Sequence, residues 1–172
     1  MSRSLHTWYS LPDLDVLARR ETVLEDAIAF ERLPRLAELL HRKAGSINAR
    51  LAFRRIQDDV LILALECDAE LELVCQRCLE PVTLRSSSDV EFVVVDDENP
   101  AAVLPEGVER IVLGGDRFNP AELVEDEMIV SLPLVPKHAS KDECGRLARK
   151  IDELNRESAD EHERSGGSLT QY

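Results

Sequence analysis

The sequence predicts an α+β fold in which a mostly antiparallel sheet, or an open barrel, packs against a few helices. The middle of the chain alternates apolar and polar residues with the two-residue period of half-buried strands. Segments with helix start signals lie before and after it. The 172 residues, with 44% hydrophobic content, suffice for one domain with a core. We expect residues 1–145 to form that domain.

The first predicted helix begins at residues 10–13 (SLPD). Ser10 is a suitable N-cap, and Asp13 stands where it can complete a capping box. Leu14 and Leu17 would face the core, and the helix would stop after Arg20. The acidic segment that follows is predicted to be a short strand or a turn.

A second helix is predicted from Pro34, because proline suits a first helical turn. An apolar stripe and a terminating glycine support it, namely Leu36, Leu39, Leu40 and Gly45. The pattern then changes period. Ile47, Ala49, Leu51 and Phe53 alternate with polar or small residues and predict a strand.

The odd positions from 61 to 75 are all apolar, which predicts one long strand or two strands joined by a bend near Asp68. Residues 57–59 would form the turn before it. Cys67 lies on the apolar side and is interpreted as a small core residue. Residues 82–84, 90–95 and 111–113 are predicted as three further strands.

The last strong helix signal is Asn119 followed by Pro120. The helix should bury Leu123 and Met128 and end before Pro133. Its consecutive acids at 125–127 point in different directions, so we interpret them as a solvated face. Residues 146–172 are predicted to form a polar tail, partly helical and then disordered from position 165.

Residues 75–78 (CQRC) raise the question of chemistry, because the CxxC spacing serves redox disulfides, zinc sites and some iron–sulfur sites. His138 and Cys144 would complete a Cys3His zinc set with Cys75 and Cys78. The alternative is a reduced turn with both partners in an exposed loop. Redox catalysis is disfavoured, because Pro81 and residues 82–84 predict a hairpin instead of the helix that activates such thiols.

Charge divides the chain. The net charge is −13, yet residues 1–56 carry 10 Lys and Arg against 7 Asp and Glu, whereas residues 57–172 carry 11 against 27. So large a negative charge disfavours broad, direct binding to the phosphate backbone of a nucleic acid. It keeps a protein soluble or serves as an acidic adaptor surface for a basic protein partner. Arg50, Arg54 and Arg55 are candidates for a small RNA-facing patch, or for a self-neutralised surface.

The sequence lacks the features of several classes of protein. No apolar run approaches the roughly 20 residues of a membrane helix. The N-terminus has no signal-peptide h-region, so a cytoplasmic location is expected. The residues form no P-loop, GxSxG or paired acid–base site, and we expect neither enzymatic activity nor a small-molecule substrate.

The blocks CQRC at 75–78, VEDEMIVSLPLVP at 124–136, His138 and Cys144 together resemble the YceD-like family of large ribosomal RNA subunit accumulation proteins. The resemblance covers about residues 5–145. It implies a non-enzymatic role in the synthesis, processing or stability of 23S rRNA during large-subunit biogenesis. The implied partner is ribosomal RNA or a pre-ribosomal particle. The acidic net charge favours contact through a basic ribosomal protein, and direct contact with RNA is the other option. A CxxC-based redox or zinc-dependent protein, or an acidic adaptor, is the alternative.

Overall fold

The structure, a computed structural model, describes residues 4–56, 60–95, 108–112, 117–145, 150–151 and 153–158. The elements in chain order are β1 (Tyr9–Ser10), α1 (Leu11–Arg19), β2 (Val23–Ala29), a 3₁₀ turn (Phe30–Arg32), α2 (Pro34–Leu39), β3 (Ser46–Arg55), β4 (Leu61–Val74), β5 (Pro81–Val95), β6 (Val108–Val112), β7 (Arg117–Phe118) and α3 (Pro120–Ser131).

The predicted α+β class is confirmed as an open, mostly antiparallel sheet. Its five strands lie in the order β2-β3-β4-β5-β6, and the described strands do not close into a barrel. Only the β5–β6 pair in this sheet is parallel. The register places Leu24, Leu51, Leu65 and Val90 in one row across four strands. This apolar face forms the core with the helices.

Strand β4 is continuous, without the bend considered near Asp68. Cys67 on it is 4% exposed, as expected of a core residue. The prediction of two strands within residues 82–95 is wrong, because β5 is a single strand of 15 residues. The break in its apolar pattern comes from Ser86 and Ser88, which face inward and are satisfied by contacts with α3, described below.

Helix α1 follows its sequence signals closely. The Ser10 backbone N–H donates to Asp13 Oδ2 at 2.9 Å, and the Asp13 N–H donates to Ser10 Oγ at 3.3 Å, completing the predicted capping box. Leu14 and Leu17 are buried. The acidic segment after α1 forms β2, which settles the choice between strand and turn.

Helix α2 is shorter than predicted. It ends at Leu39, which was predicted to lie on the buried stripe but is half exposed. Ala37 is buried instead. Gly45 does not cap this helix. It has a φ of +141°, and a side chain there would collide with the ring of Phe30. Glycine is therefore required by packing and backbone conformation, and not by helix termination.

Helix α3 begins at the predicted cap, with Asn119 Oδ1 accepting from the Ala121 N–H at 3.1 Å. Met128 is fully buried, as expected, whereas Leu123 is only partly buried. The helix also contacts β5 through polar groups. Ser86 and Ser131 hydroxyls lie 2.7 Å apart, and Ser88 Oγ donates to Glu127 Oε1 at 2.6 Å.

The interpretation of Glu125 as a solvated acid is wrong, because its side chain is buried between α3 and α2. Its Oε1 accepts from the backbone N–H groups of Arg35 at 2.8 Å and Leu36 at 3.1 Å. Its Oε2 accepts from the Arg35 guanidinium at 2.9 Å. Helix α2 has no side-chain cap of its own, so Glu125 satisfies amides that its first turn leaves open.

Several predictions fall beyond the part of the chain that the structure describes, namely the turn at 57–59, Leu113 and the disordered end from Ser165. In the tail, residues 150–151 and 153–158 are helical. The boundary at residue 145 stays a prediction. Among the described helices, none combines the length and apolar character that crossing a bilayer requires.

Candidate metal centre

The four residues predicted as zinc ligands meet at one end of the sheet. One sulfur or ring nitrogen from each of Cys75, Cys78, His138 and Cys144 lies within 4.8 Å of the others. The three cysteines are at most 1% exposed, and His138 is half-buried. The alternative placed His138 and Cys144 in an exposed loop, whereas Cys144 is buried and both residues lie beside the cysteine pair.

The first two ligands occupy the tip of the β4–β5 hairpin. The two strands pair as far as Val74 and Pro81, and the CxxC segment fills the loop between them. The Cys75 N–H donates to the Glu80 carbonyl at 2.9 Å, and the Leu79 N–H donates to the Cys75 carbonyl at 2.8 Å. Leu79 takes a left-handed φ of 60°, which turns the chain after the second cysteine.

The other two ligands lie in the segment after α3, which is fastened to this hairpin tip at both ends. At one end the Gln76 N–H donates to the Pro136 carbonyl at 2.8 Å. At the other the Gly145 N–H donates to Glu80 Oε2 at 3.1 Å. His138 and Cys144 stand between these two attachment points, so the backbone itself brings them over the cysteine pair.

The spacing of the donor atoms fits a tetrahedral zinc ion. With Zn–S of about 2.3 Å and Zn–N of about 2.0–2.1 Å, tetrahedral geometry places sulfur and nitrogen about 3.6 Å apart. His138 Nδ1 lies 3.5 Å from Cys78 Sγ and 3.7 Å from Cys144 Sγ. His138 Nε2 lies 3.2 Å from the Pro81 carbonyl. Because a carbonyl only accepts, this contact suits an imidazole with its proton on Nε2, and in the neutral ring Nδ1 then offers its lone pair to a metal.

The electrostatics favour a thiolate at one position and oppose it at another. Burial raises the pKa of the Cys75 thiol, but backbone N–H groups of His138, Arg77 and Cys78 outweigh this and lower the pKa to about 5. Burial and the neighbouring thiols of Cys78 and Cys75 raise the pKa of Cys144. A divalent cation would favour the thiolate form of all three cysteines at once.

The fourth cysteine stands apart from this cluster. Cys67 lies within β4, opposite Ser88 of β5. Burial, with the nearby Glu127 carboxylate, raises the pKa of the Cys67 thiol to about 11. Cys67 therefore stays a neutral thiol, which suits a core position and makes it a useful control for the other three.

The candidate RNA patch lies on β3, where its arginines meet carboxylates. The pairs are Arg50 Nη1 with Glu66 Oε1 at 2.8 Å, Arg54 Nη2 with Glu91 Oε1 at 2.7 Å, and Arg55 with Asp15. These pairs offset part of the positive charge that phosphate binding would use. A contact between these arginines and RNA stays a prediction.

The sequence indicated the four candidate ligands but not the residues that hold them together. Glu80 gave no signal, because its partner Gly145 is 65 positions away. The Pro81 and Pro136 carbonyls are backbone groups that no residue pattern reveals. Arg77 lies between the two cysteines in sequence, and its side chain reaches Cys144, with Nη1 3.7 Å from the sulfur.

Comparison with known proteins supplies the family. A family profile described as "Large ribosomal RNA subunit accumulation protein YceD" matches residues 63–168, which include all four candidate ligands. A Haemophilus influenzae protein of the same name is 31% identical over 116 residues, covering 66% of this chain and 66% of that protein. No solved structure is significantly similar. The chain therefore belongs to the YceD family of large ribosomal RNA subunit accumulation proteins.

Proposed function

We propose that this protein is a non-enzymatic factor for the accumulation of large-subunit ribosomal RNA, acting in the synthesis, processing or stability of 23S rRNA. Family membership carries the proposal, since the matched relative is named a large ribosomal RNA subunit accumulation protein. Expected partners are ribosomal RNA or a pre-ribosomal particle in the cytoplasm. The net charge of −13 favours contact through a basic ribosomal protein over a broad grip on RNA.

Zinc is proposed as a structural component of this factor. Catalytic zinc sites keep a coordination position for water or substrate, whereas structural sites are filled by four protein ligands. The cluster offers four donors, three of them from buried cysteines. Bound zinc would join the hairpin tip to a segment 60 positions further along, between Cys78 and His138. Such a link adds stability to the folded state.

The arrangement supports metal binding over dithiol redox chemistry. A thioredoxin-like pair opens a helix, whose N-terminus stabilises the reactive thiolate. Cys75 instead follows a strand and begins a hairpin turn. A redox pair also has no need of His138 and Cys144, yet both are held against it.

The proposed function is tested by depleting the protein and measuring the ratio of 23S to 16S rRNA. Depletion should lower the ratio, and the wild-type chain should restore it. Cys78→Ser should restore it poorly, whereas Cys67→Ala, which removes a buried thiol outside the cluster, should behave like the wild type. A ratio unchanged by depletion would contradict a role in large-subunit RNA accumulation.

The zinc component has a separate test. Protein purified without a His-tag and without chelator should contain about one zinc ion per chain by elemental analysis. Cys78→Ser should lose the metal and melt at a lower temperature, because an incomplete ligand set no longer ties the hairpin to the loop. Metal-free wild-type protein, with a melt unchanged in Cys78→Ser, would remove the metal role.

A further inference from the structure

Arg77 is not a candidate ligand, but it donates to sulfur atoms on both segments of the cluster. Its backbone N–H lies 3.4 Å from Cys75 Sγ. Its guanidinium Nη1 lies 3.7 Å from Cys144 Sγ, across 67 positions of sequence. One residue of the hairpin tip therefore reaches both the first ligand and the last.

Charge explains why such a residue is needed. Three thiolates and a neutral imidazole around a divalent ion leave one surplus negative charge. The sulfur-bearing residues are at most 1% exposed, so water solvates that charge poorly. An arginine stays charged at any physiological pH. The Arg77 guanidinium donates to Cys144 Sγ, and the Arg77 backbone N–H donates to Cys75 Sγ. Arg77 is placed to offset the surplus without taking a coordination position.

Cys144 depends on this contact more than the other cysteines do. Cys75 and Cys78 are held within the hairpin loop between two paired strands. Cys144 lies near the end of the segment, where its own N–H donates to the nearby Lys141 carbonyl at 3.1 Å, and the segment is tied to the hairpin tip there by the Gly145 N–H bond to Glu80 Oε2. A competing chelator would displace this ligand first.

We propose that Arg77 is the positioning residue that retains the metal, by offsetting the surplus charge of the Cys3His centre and by holding Cys144 against the hairpin tip. The inference rests on the proposed zinc site. Replacing residues that support metal ligands typically weakens metal affinity about 10–100-fold. Most of that loss should appear as faster release, because Arg77 acts on a ligand already in place.

The test uses the full chain loaded with zinc and a chromogenic chelator in excess, and follows the rate of zinc transfer. Arg77→Met, which keeps a long side chain without charge or donors, should release zinc about 10–100-fold faster. Arg77→Lys should be intermediate, because lysine keeps the charge but not the planar fork of donors. Lys137→Ala removes an exposed cation beside His138 and should match the wild type.

A second readout separates an electronic effect from general loosening of the fold. In the cobalt-substituted proteins, the sulfur-to-metal charge-transfer bands should shift in Arg77→Met and return toward wild type in Arg77→Lys, since N–H donors withdraw charge from thiolates. A wild-type chain that holds no zinc would overturn the metal site and this inference together. A wild-type chain with one zinc, but unchanged release and bands in Arg77→Met, would overturn the role of Arg77 alone.

Discussion

The buried Glu125 carboxylate offers the sharpest test of how the fold is held, because its neighbour Asp126 provides a matched control. Both acids bond to the Arg35 guanidinium. Only Glu125 also accepts two backbone N–H groups at the start of α2, from Arg35 and Leu36. The side chain of Glu125 is 4% exposed and that of Asp126 57% exposed. Replacing each by alanine therefore separates a buried helix cap from a surface ion pair.

The expected magnitudes follow from what each change leaves unsatisfied. In Glu125→Ala, the Leu36 N–H stays buried without its acceptor, and such a loss costs about 1–3 kcal/mol. The partly buried Arg35 N–H adds a smaller amount, which gives a total of about 2–4 kcal/mol. The Arg35 side chain is 53% exposed, so its charge returns to water at little cost. Asp126→Ala should cost less than about 1 kcal/mol.

Equilibrium denaturation in urea measures both losses, with the slope of the transition confirming that the unfolded state is unchanged. The Asp126 effect should also shrink in high salt, because exposed ion pairs are screened, whereas the Glu125 effect should persist. Losses of equal size in the two variants, or a Glu125→Ala protein as stable as wild type, would refute the cap and return Glu125 to the solvated face.

Three further predictions concern the core, the metal and RNA. Met128→Ala should lower the free energy of unfolding by about 2–5 kcal/mol, and Glu122→Ala by about 1 kcal/mol or less. Equal melting temperatures for the two variants would contradict the packing of α3 in the core. Zinc removal should speed hydrogen exchange at the Gln76 amide, whose acceptor is the Pro136 carbonyl, while amides in the middle of β4 stay protected; unchanged exchange at Gln76 would contradict the tether. Neutralising Arg50, Arg54 and Arg55 together should weaken RNA binding, and the dependence of log K on log salt should become shallower by about one per lost phosphate contact. If the wild-type protein gives no gel shift with RNA at low salt, these arginines do not form an RNA-binding patch.

Local patterns predicted those elements whose signals are themselves local. The alternation in β3 and β4 and the capping box at Ser10 depend on neighbours within a few residues, and all three agree with the structure. Ser86 and Ser88 broke the pattern of β5, because their partners lie on α3, some 40 positions away. Gly45 was assigned to a helix end for the same reason, since the ring of Phe30 that it contacts is invisible in a local window.

The candidate site divides along the same line. Residue type and spacing identified Cys75, Cys78, His138 and Cys144, because zinc prefers such ligands whatever the fold. What brings them together could not be predicted, since it is the attachment of the segment after α3 to the hairpin tip. The prediction that Glu125 is solvated was wrong for a different reason. Its sequence neighbours are acidic, and only the uncapped start of α2 makes a buried carboxylate favourable there.

Different contacts hold α3 and the segment from Pro136 to Gly145 in place, and this difference predicts what loss of a bound metal should change. Helix α3 is held by Glu125 against α2 and by Ser131 against β5, and neither contact involves the cysteine cluster. The segment from Pro136 onward depends on the hairpin tip. Loss of zinc should therefore loosen that segment and lower stability while the sheet and α3 remain folded. If Cys78→Ser impairs rRNA accumulation with the sheet intact, the contact with the functional partner lies at the segment from Pro136 onward or at the hairpin tip, and not on β3.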